Sequence, residues 1–386
     1  MVKYIVAFLL ILILSVLDIY LYRIGILQLE PSLCIIPLIL ILIFSNKNYI
    51  RHLGKLNSEG TIFYLILILL STIFGFFSTS TEIFYSIGLY IMNFMLLLAT
   101  ILYFINCPRK LIKHIFIISF LILGLSICKD IFFSNTIINR GAGFAENPNS
   151  AALRIVFLFI ILMTLLENKR SKIYILLLSL VFVFLTLSRS GMILLLLTAA
   201  IFQINGFSDR VDLKKSKYEI RRTILIFPLV IILFINLIPL VVEYIPAFNS
   251  RGTISRIEQL SGKKSIISED DVGDMGRLTI MKDYFSLFIE NPFGYGTSMN
   301  INRDFYQYSS HNLLLRLGID FGVFGIFFYL TFIYRSFKKG IKNLFVPTMS
   351  IIIILFIASF FTNTLLENRT FILSLAAAEV FLKRNI

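Results

Sequence analysis

An all-α polytopic membrane protein with about twelve transmembrane helices is predicted for this chain by three features of its sequence. Of 386 residues, 58% are hydrophobic and only 15% charged, whereas soluble domains carry about a quarter charged residues; the mean hydropathy is +0.87. Apolar runs of the length needed to cross ~30 Å of hydrocarbon recur from end to end. Between them, lysine and arginine gather in alternate loops, as they do when cations are held on the cytoplasmic side.

The runs place spans near 3–22, 28–45, 61–77, 83–106, 112–130, 150–167, 172–188, 190–205, 223–242, 313–334, 344–362 and 369–383. The first leads into Asp18 and further apolar sequence without a small-residue cleavage site, so it reads as a retained helix rather than a signal peptide. The stretch from Ile173 to Ile204 is too long for one ordinary span and short for two; it is divided at Ser188-Arg189-Ser190-Gly191, where arginine and glycine interrupt it. With the N-terminus inside, cytoplasmic segments hold 22 Lys and Arg, while the short outer loops hold five: Arg23, Lys129, Arg140, Arg189 and Arg369. Adding or removing one helix inverts every later loop, so this asymmetry supports the count and the topology together. It also assigns the net charge of +14 to membrane orientation and not to nucleic acid, and puts both termini in the cytoplasm.

Three regions follow: helices 1–9 with short loops over 1–242, a large outer loop over 243–312, and helices 10–12 over 313–386. The loop carries nine acidic and seven basic residues, the balance of a small folded cap rather than a charged tail. Within it Asp274 can cap a helix whose Leu278, Met281, Phe285 and Phe288 recur at helical spacing, to lie on the bilayer or lid a cavity. Asn291-Pro292-Phe293-Gly294-Tyr295-Gly296 then stops that helix. Cys34, Cys107 and Cys128 have no metal-ligand spacing and fit neither a disulfide framework nor a zinc site.

Four outer features depart from plain apolar helix. In Asn139 to Ser150, Asn149 or Ser150 can cap the next span and Pro148 fix its entry, which leaves Arg140 and Arg154 without a purpose. Arg189 either snorkels to the interface or, with the hydroxyls of Ser188 and Ser190, binds an anion; an arginine at a span's centre would cost ~2.5–3.5 kcal/mol. Arg277, at the start of the loop helix, suits either a surface ion pair with Asp274 or Asp283, or bidentate contact with phosphate oxygens. Glu269, Asp270, Asp271 and Asp274 lack calcium-loop spacing and read as a solvated turn, so no metal is expected.

The fourth feature is Ser309-Ser310-His311-Asn312, opening a span in which Gly318, Gly322 and Gly325 share a face for close packing and Arg316 and Asp320 can neutralise each other. Of three histidines, His52 and His114 fall in cytoplasmic basic loops and His311 alone is outside. It is either a helix-end residue or, with its pKa lowered by nearby guanidinium groups, a proton acceptor near neutral pH.

His311-Asn312, nine residues, Gly322, two residues, Gly325 resembles the His-Asn-x9-Gly-x2-Gly pattern of the Wzy/WaaL superfamily, the O-antigen polymerases and O-antigen ligases. Thr186-Leu-Ser-Arg189-Ser-Gly191-Met is similar to the arginine-bearing outer helix end of that family, and Gly276-Arg277-Leu with Asn291 to Gly296 to the helix of its large periplasmic loop. Phe144 to Ala151, with Asn147-Pro148-Asn149, is similar to a turn common in the polymerase branch. Together the motifs cover about 140–330.

The resemblance implies a glycosyltransferase of the bacterial cytoplasmic membrane, acting in lipopolysaccharide or capsule synthesis on glycans carried by undecaprenyl diphosphate, without metal or cofactor. It implies that Arg189 and Arg277 stabilise the departing diphosphate, that His311 takes the acceptor's proton, and that Arg140, Arg154, Asn147, Asn149 and Asn312 hold substrate. A membrane lipid is then a partner, as is a chain-length regulator if the enzyme is a polymerase. The Asn-Pro-Asn turn favours polymerase over ligase. A lipid-linked oligosaccharide flippase also needs cations for a diphosphate, but would show related halves and short loops.

Overall fold

The computed structural model describes residues 2–28, 30–45, 49, 58–133, 140–211 and 277–384. All regular structure among them beyond isolated bridges is helical: α1 (Val2–Ser15), α2 (Leu17–Arg23), α3 (Pro31–Phe44), α4 (Glu59–Gly75), α5 (Ile83–Asn106), α6 (Arg109–Phe133), α7 (Pro148–Leu165), α8 (Lys169–Leu185), α9 (Arg189–Ile204), α10 (Arg277–Glu290), α11 (Leu313–Lys342), α12 (Val346–Ala358) and α13 (Arg369–Arg384). Each expected span coincides with helix, except 223–242, which lies outside the described residues together with Asp274 and the acidic cluster before it. Among the described residues α5, α6, α7 and α11 are each long and apolar enough to cross a bilayer; α1 and α2 add a fifth span if the pair counts as one. That pair bends by 73°, because Val16 takes a left-handed conformation (φ 62°) that interrupts the helical hydrogen bonds.

Helix starts follow short polar side chains that satisfy otherwise orphaned N–H groups. Ser58 accepts from Thr61 N on α4, Asn168 from Arg170 N on α8, Ser188 from Gly191 N on α9 and Asn312 from Leu315 N on α11. On α7 the cap is Asn147, which accepts from Asn149 N with Pro148 in the first turn. This corrects the expectation that Asn149 or Ser150 would cap; the side chain of Asn149 is taken by Arg140 instead.

The chain forms two compact units. One comprises Met1–Leu10, Leu27–Ile112 and Asp274–Ile386, the other Ile11–Ile26 and Lys113–Gly273. In the first, α5 packs on α4 and α13, α11 on α4 and α12, and α10 on α11; Thr370 to Leu382 of α13 are buried on every face. In the second, α7 packs between α8 and α9, with Ala151 to Leu165 buried except for Arg154. A helix that is apolar all round has no face for solvent and takes the centre of its unit. Outward-facing Phe76, Phe77, Phe84 and Phe133 present the apolar surface that a bilayer covers.

Helix α11 is not continuous. Gly322 has φ 61°, ψ −151°, a conformation essentially reserved for glycine, and divides it into Leu313–Phe321 and Val323–Lys342. Gly318, Gly322 and Gly325 therefore do not share one face, which corrects the sequence expectation: the i, i+4, i+7 spacing assumed unbroken helical dihedrals. Only Gly318 acts as expected, where an added Cβ would stand 3.0 Å from the Phe288 ring.

Candidate functional site

In the first unit, the segment after α10 is fastened to α11 at the break. Asn291 Nδ2 donates to Gly294 O at 2.8 Å, the Tyr295 amide donates to Ile319 O at 2.7 Å, and the Val323 amide to Pro292 O at 2.8 Å. Thr297 and Ser298 then bind the facing ends of α4 and α5: Thr297 N donates to Phe74 O at 3.3 Å, and Ser298 Oγ bonds Ser86 Oγ at 2.6 Å and Glu82 O at 3.0 Å. Phe288 meets Gly318, and Gly294, four to six residues on, meets Gly322. Contacts that advance together along both chains mean that α10 and the first half of α11 run in the same direction. Both helices therefore run from the same end, with Arg277 as the first described residue of α10 and His311-Asn312 leading into α11. A helix N-terminus carries partial positive charge, so the start of α11 at this end favours an anion.

The buried face of α10 is Ile280 and Tyr284, with Leu287 and Phe288 packed beside them, while Phe285 is exposed. Of the expected stripe Phe288 packs here, Met281 is half-buried and Phe285 points away, while the side chain of Leu278 lies outside what is described. Tyr284 is held in the buried face by its hydroxyl, which donates to the Tyr308 carbonyl at 2.6 Å, with that of Asn300 at 3.2 Å. Burial, then the charge of Asp320, pushes the pKa of Tyr284 well up, so it stays a donor.

His311 is exposed at φ 49° on a strap tied at both ends. Asn363 Nδ2 donates to Ser309 Oγ, and beyond the histidine the Leu313 amide donates to Ser359 O at 2.8 Å. Buried Arg316 completes the tie: it donates to Asn363 O at 3.0 Å, pairs with Glu367 at 2.5 Å, and stands 3.8 Å from Asp320. Asp320 in turn accepts from Asn300 N at 3.0 Å. The expected neutralisation of Arg316 by Asp320 is thus the longer of two ion pairs. Asn363 and Glu367 were not singled out from sequence; the available signal was an acidic residue in a short connection between spans on the same side as His311.

In the second unit, one end gathers Arg140, Arg154, Asn147, Asn149 and Arg189. Arg140 Nε donates to Thr186 O at 3.1 Å, and its Nη2 to Asn149 Oδ1 at 3.1 Å and Leu187 O at 3.4 Å. It thereby holds the left-handed turn at Leu187 (φ 49°) from which α9 starts. Arg189 is the first residue of α9, at a helix end rather than within a span, as the division at Ser188 requires. Gly191 lets α9 approach α7, since a Cβ there would collide with Ala152. Arg154 donates to Ser150 Oγ at 3.3 Å, Asp130 accepts from Gly143 N at 2.6 Å, and Glu146 pairs with Arg23. Arg140→Ala is expected to destabilise the protein by about 2 kcal/mol, the order of charge-assisted hydrogen bonds lost, read as a lower Tm in detergent. A variant that keeps its Tm and changes only KM would assign Arg140 to substrate instead.

Residues 174–330 match the Wzy_C family model, described as O-antigen ligase, and no curated protein matches the chain. The matched stretch contains Arg189, Arg277, His311, Gly322 and Gly325, and the members of this family are in general glycosyl-transferring enzymes. Over that stretch, which is less than half of the 386 residues, the chain is similar to the O-antigen ligase family.

Proposed function

We propose that the chain is a polysaccharide polymerase that joins undecaprenyl-diphosphate-linked repeat units on the outer face of the bacterial cytoplasmic membrane. In this reading twelve spans place both termini in the cytoplasm and 243–312 outside. The acceptor hydroxyl oxygen attacks the anomeric carbon of the donor glycan, the bond from that carbon to the diphosphate oxygen breaks, and the lipid diphosphate leaves with the electron pair. His311 takes the hydroxyl proton. Arg277 and the N-terminus of α11 stabilise charge growing on the leaving group, and Arg189 is assigned to diphosphate binding at its end of the second unit. Asn312 fixes the strap, while Arg154, Asn147, Asn149 and Arg140 serve glycan or lipid binding at their end of the second unit. A chain-length regulator is the partner such a polymerase would take.

The observation that supports this reading is the parallel course of α10 and the first half of α11, with Arg277 the first described residue of one and an exposed, anchored His311 leading into the other. With purified protein and one defined undecaprenyl-diphosphate repeat unit, wild type is expected to make polymer. His311→Ala is expected to lose about 10²–10⁴-fold in rate while inserting normally; full elongation by that variant removes the base from the scheme. Arg189→Lys separates a need for the planar fork from a need for charge alone. The second reading, transfer of finished chains to lipid A core, is favoured by the description of the matched family. Deleting the gene distinguishes them: surface glycan of a single repeat supports the polymerase, and long chains left on the undecaprenyl carrier support the ligase.

A further inference from the structure

We propose that the turn Arg303–Tyr308 is a saccharide subsite beside His311, binding one sugar of the glycan; this rests on the reading of the chain as a glycan transferase. A pocket of about 240 Å³ is lined by Arg303, Asp304, Phe305, Tyr306, Gln307 and Tyr308. That is below the roughly 300–1,000 Å³ of sites for larger ligands and of the size that suits a single ring.

The lining has the chemistry of a sugar site. A pyranose offers hydroxyls that both donate and accept, and C–H faces that lie against aromatic rings. Arg303 supplies only donors, Asp304 only acceptors and Gln307 both, and all three are exposed to an incoming ligand. Phe305, Tyr306 and Tyr308 supply the rings. A diphosphate is a poorer occupant, because the carboxylates of Asp304 and nearby Asp283 offset the one guanidinium.

The rings are held before any ligand arrives. Tyr306 bonds Asp283 through its hydroxyl and stands edge-on to Tyr284 at 5.0 Å. Burial and that bond push the Tyr306 pKa up to about 12, so the phenol remains a neutral donor. Phe305 packs on Tyr295 at 4.8 Å, and the Tyr308 carbonyl is fixed by Tyr284. The turn itself is closed by Arg303 donating to Gln307 O and by Asp304 N donating to Asn302 Oδ1 at 3.0 Å. Ordering entropy that a loose loop would lose on binding is already spent here. From Tyr308 to His311 is three residues, at most about 11 Å of chain, so a sugar in the pocket lies one or two units from the proposed base.

The chain contains no tryptophan, so full-length Tyr308→Trp in detergent carries one indole at the pocket. Titration with the repeat-unit oligosaccharide released from the host's lipid carrier should shift its emission saturably, and titration with inorganic pyrophosphate should not. Asp304→Ala and Gln307→Ala in that background should weaken oligosaccharide binding about tenfold, the scale of one hydrogen bond. In the otherwise wild-type enzyme the same two changes should raise KM for the lipid-linked unit with little effect on kcat. A response to pyrophosphate alone, or a silent indole and unchanged KM in an enzyme that turns over, overturns the subsite. Saturable oligosaccharide binding by a protein that makes no polymer and transfers no glycan overturns the transferase reading and leaves the subsite standing.

Discussion

Arg316→Ala should cost about 3–5 kcal/mol and lower the Tm in detergent by on the order of 10 °C. The guanidinium is 4% exposed and is the common partner of Glu367, Asp320 and the Asn363 carbonyl. Removing it leaves buried Asp320 and partly buried Glu367 without their shared cation, and the loss of a buried pair is dominated by such uncompensated charge. Arg316→Lys should recover only part, since one ammonium cannot reach three acceptors that the planar fork spans. The triple change Arg316→Met, Glu367→Gln, Asp320→Asn should be more stable than Arg316→Ala alone, because no charge remains to be stranded. Equal Tm values for Arg316→Ala and wild type would show that the network holds nothing.

The same arginine also reaches the site. It holds Asn363, Asn363 holds Ser309, and Ser309 stands two residues before His311. Arg316 is therefore a positioning residue. Turnover of Arg316→Lys should fall by more than its loss of Tm explains, with the pH profile of kcat altered as the imidazole moves.

Much of this was legible in the sequence because membrane physics acts locally. Apolar length marked the helices, and the interruption at Ser188 to Gly191 marked a true helix start, since serine is a good N-cap wherever it stands. The stop at Asn291-Pro292 was equally local. What sequence could not supply were facts of tertiary pairing. Glu367 meets Arg316 across 51 positions, Arg140 finds carbonyls 46 and 47 residues on, and the Tyr284 hydroxyl finds a carbonyl 24 residues on. No periodicity encodes such partners. The three glycines of α11 were read from spacing alone, and spacing presumes the helical dihedrals that Gly322 does not have.

Gly322→Ala should be among the most damaging single substitutions in the chain. A Cβ there would collide with the Phe293 carbonyl carbon and the Pro292 oxygen, backbone atoms that no side-chain rotation can move aside. From the other side, a Cβ on Gly294 (φ +88°) would stand 2.5 Å from the Gly322 amide, so neither chain has room to retreat. The conformation alone costs on the order of 1–3 kcal/mol for a non-glycine residue, and the collision adds to it. Relief would come from regularising α11 or from expelling the 291–294 turn, and either would separate α10 from the first half of α11. Since that packing is what brings Arg277 and His311 to one end, transfer should be lost even in the fraction of Gly322→Ala that inserts and folds. Gly88→Ala is the control: it lies in α5, has no atom within 4 Å of its added Cβ, and should match wild type in Tm and turnover. If Gly322→Ala behaves like Gly88→Ala in both measurements, the interlocked turn does not set the site.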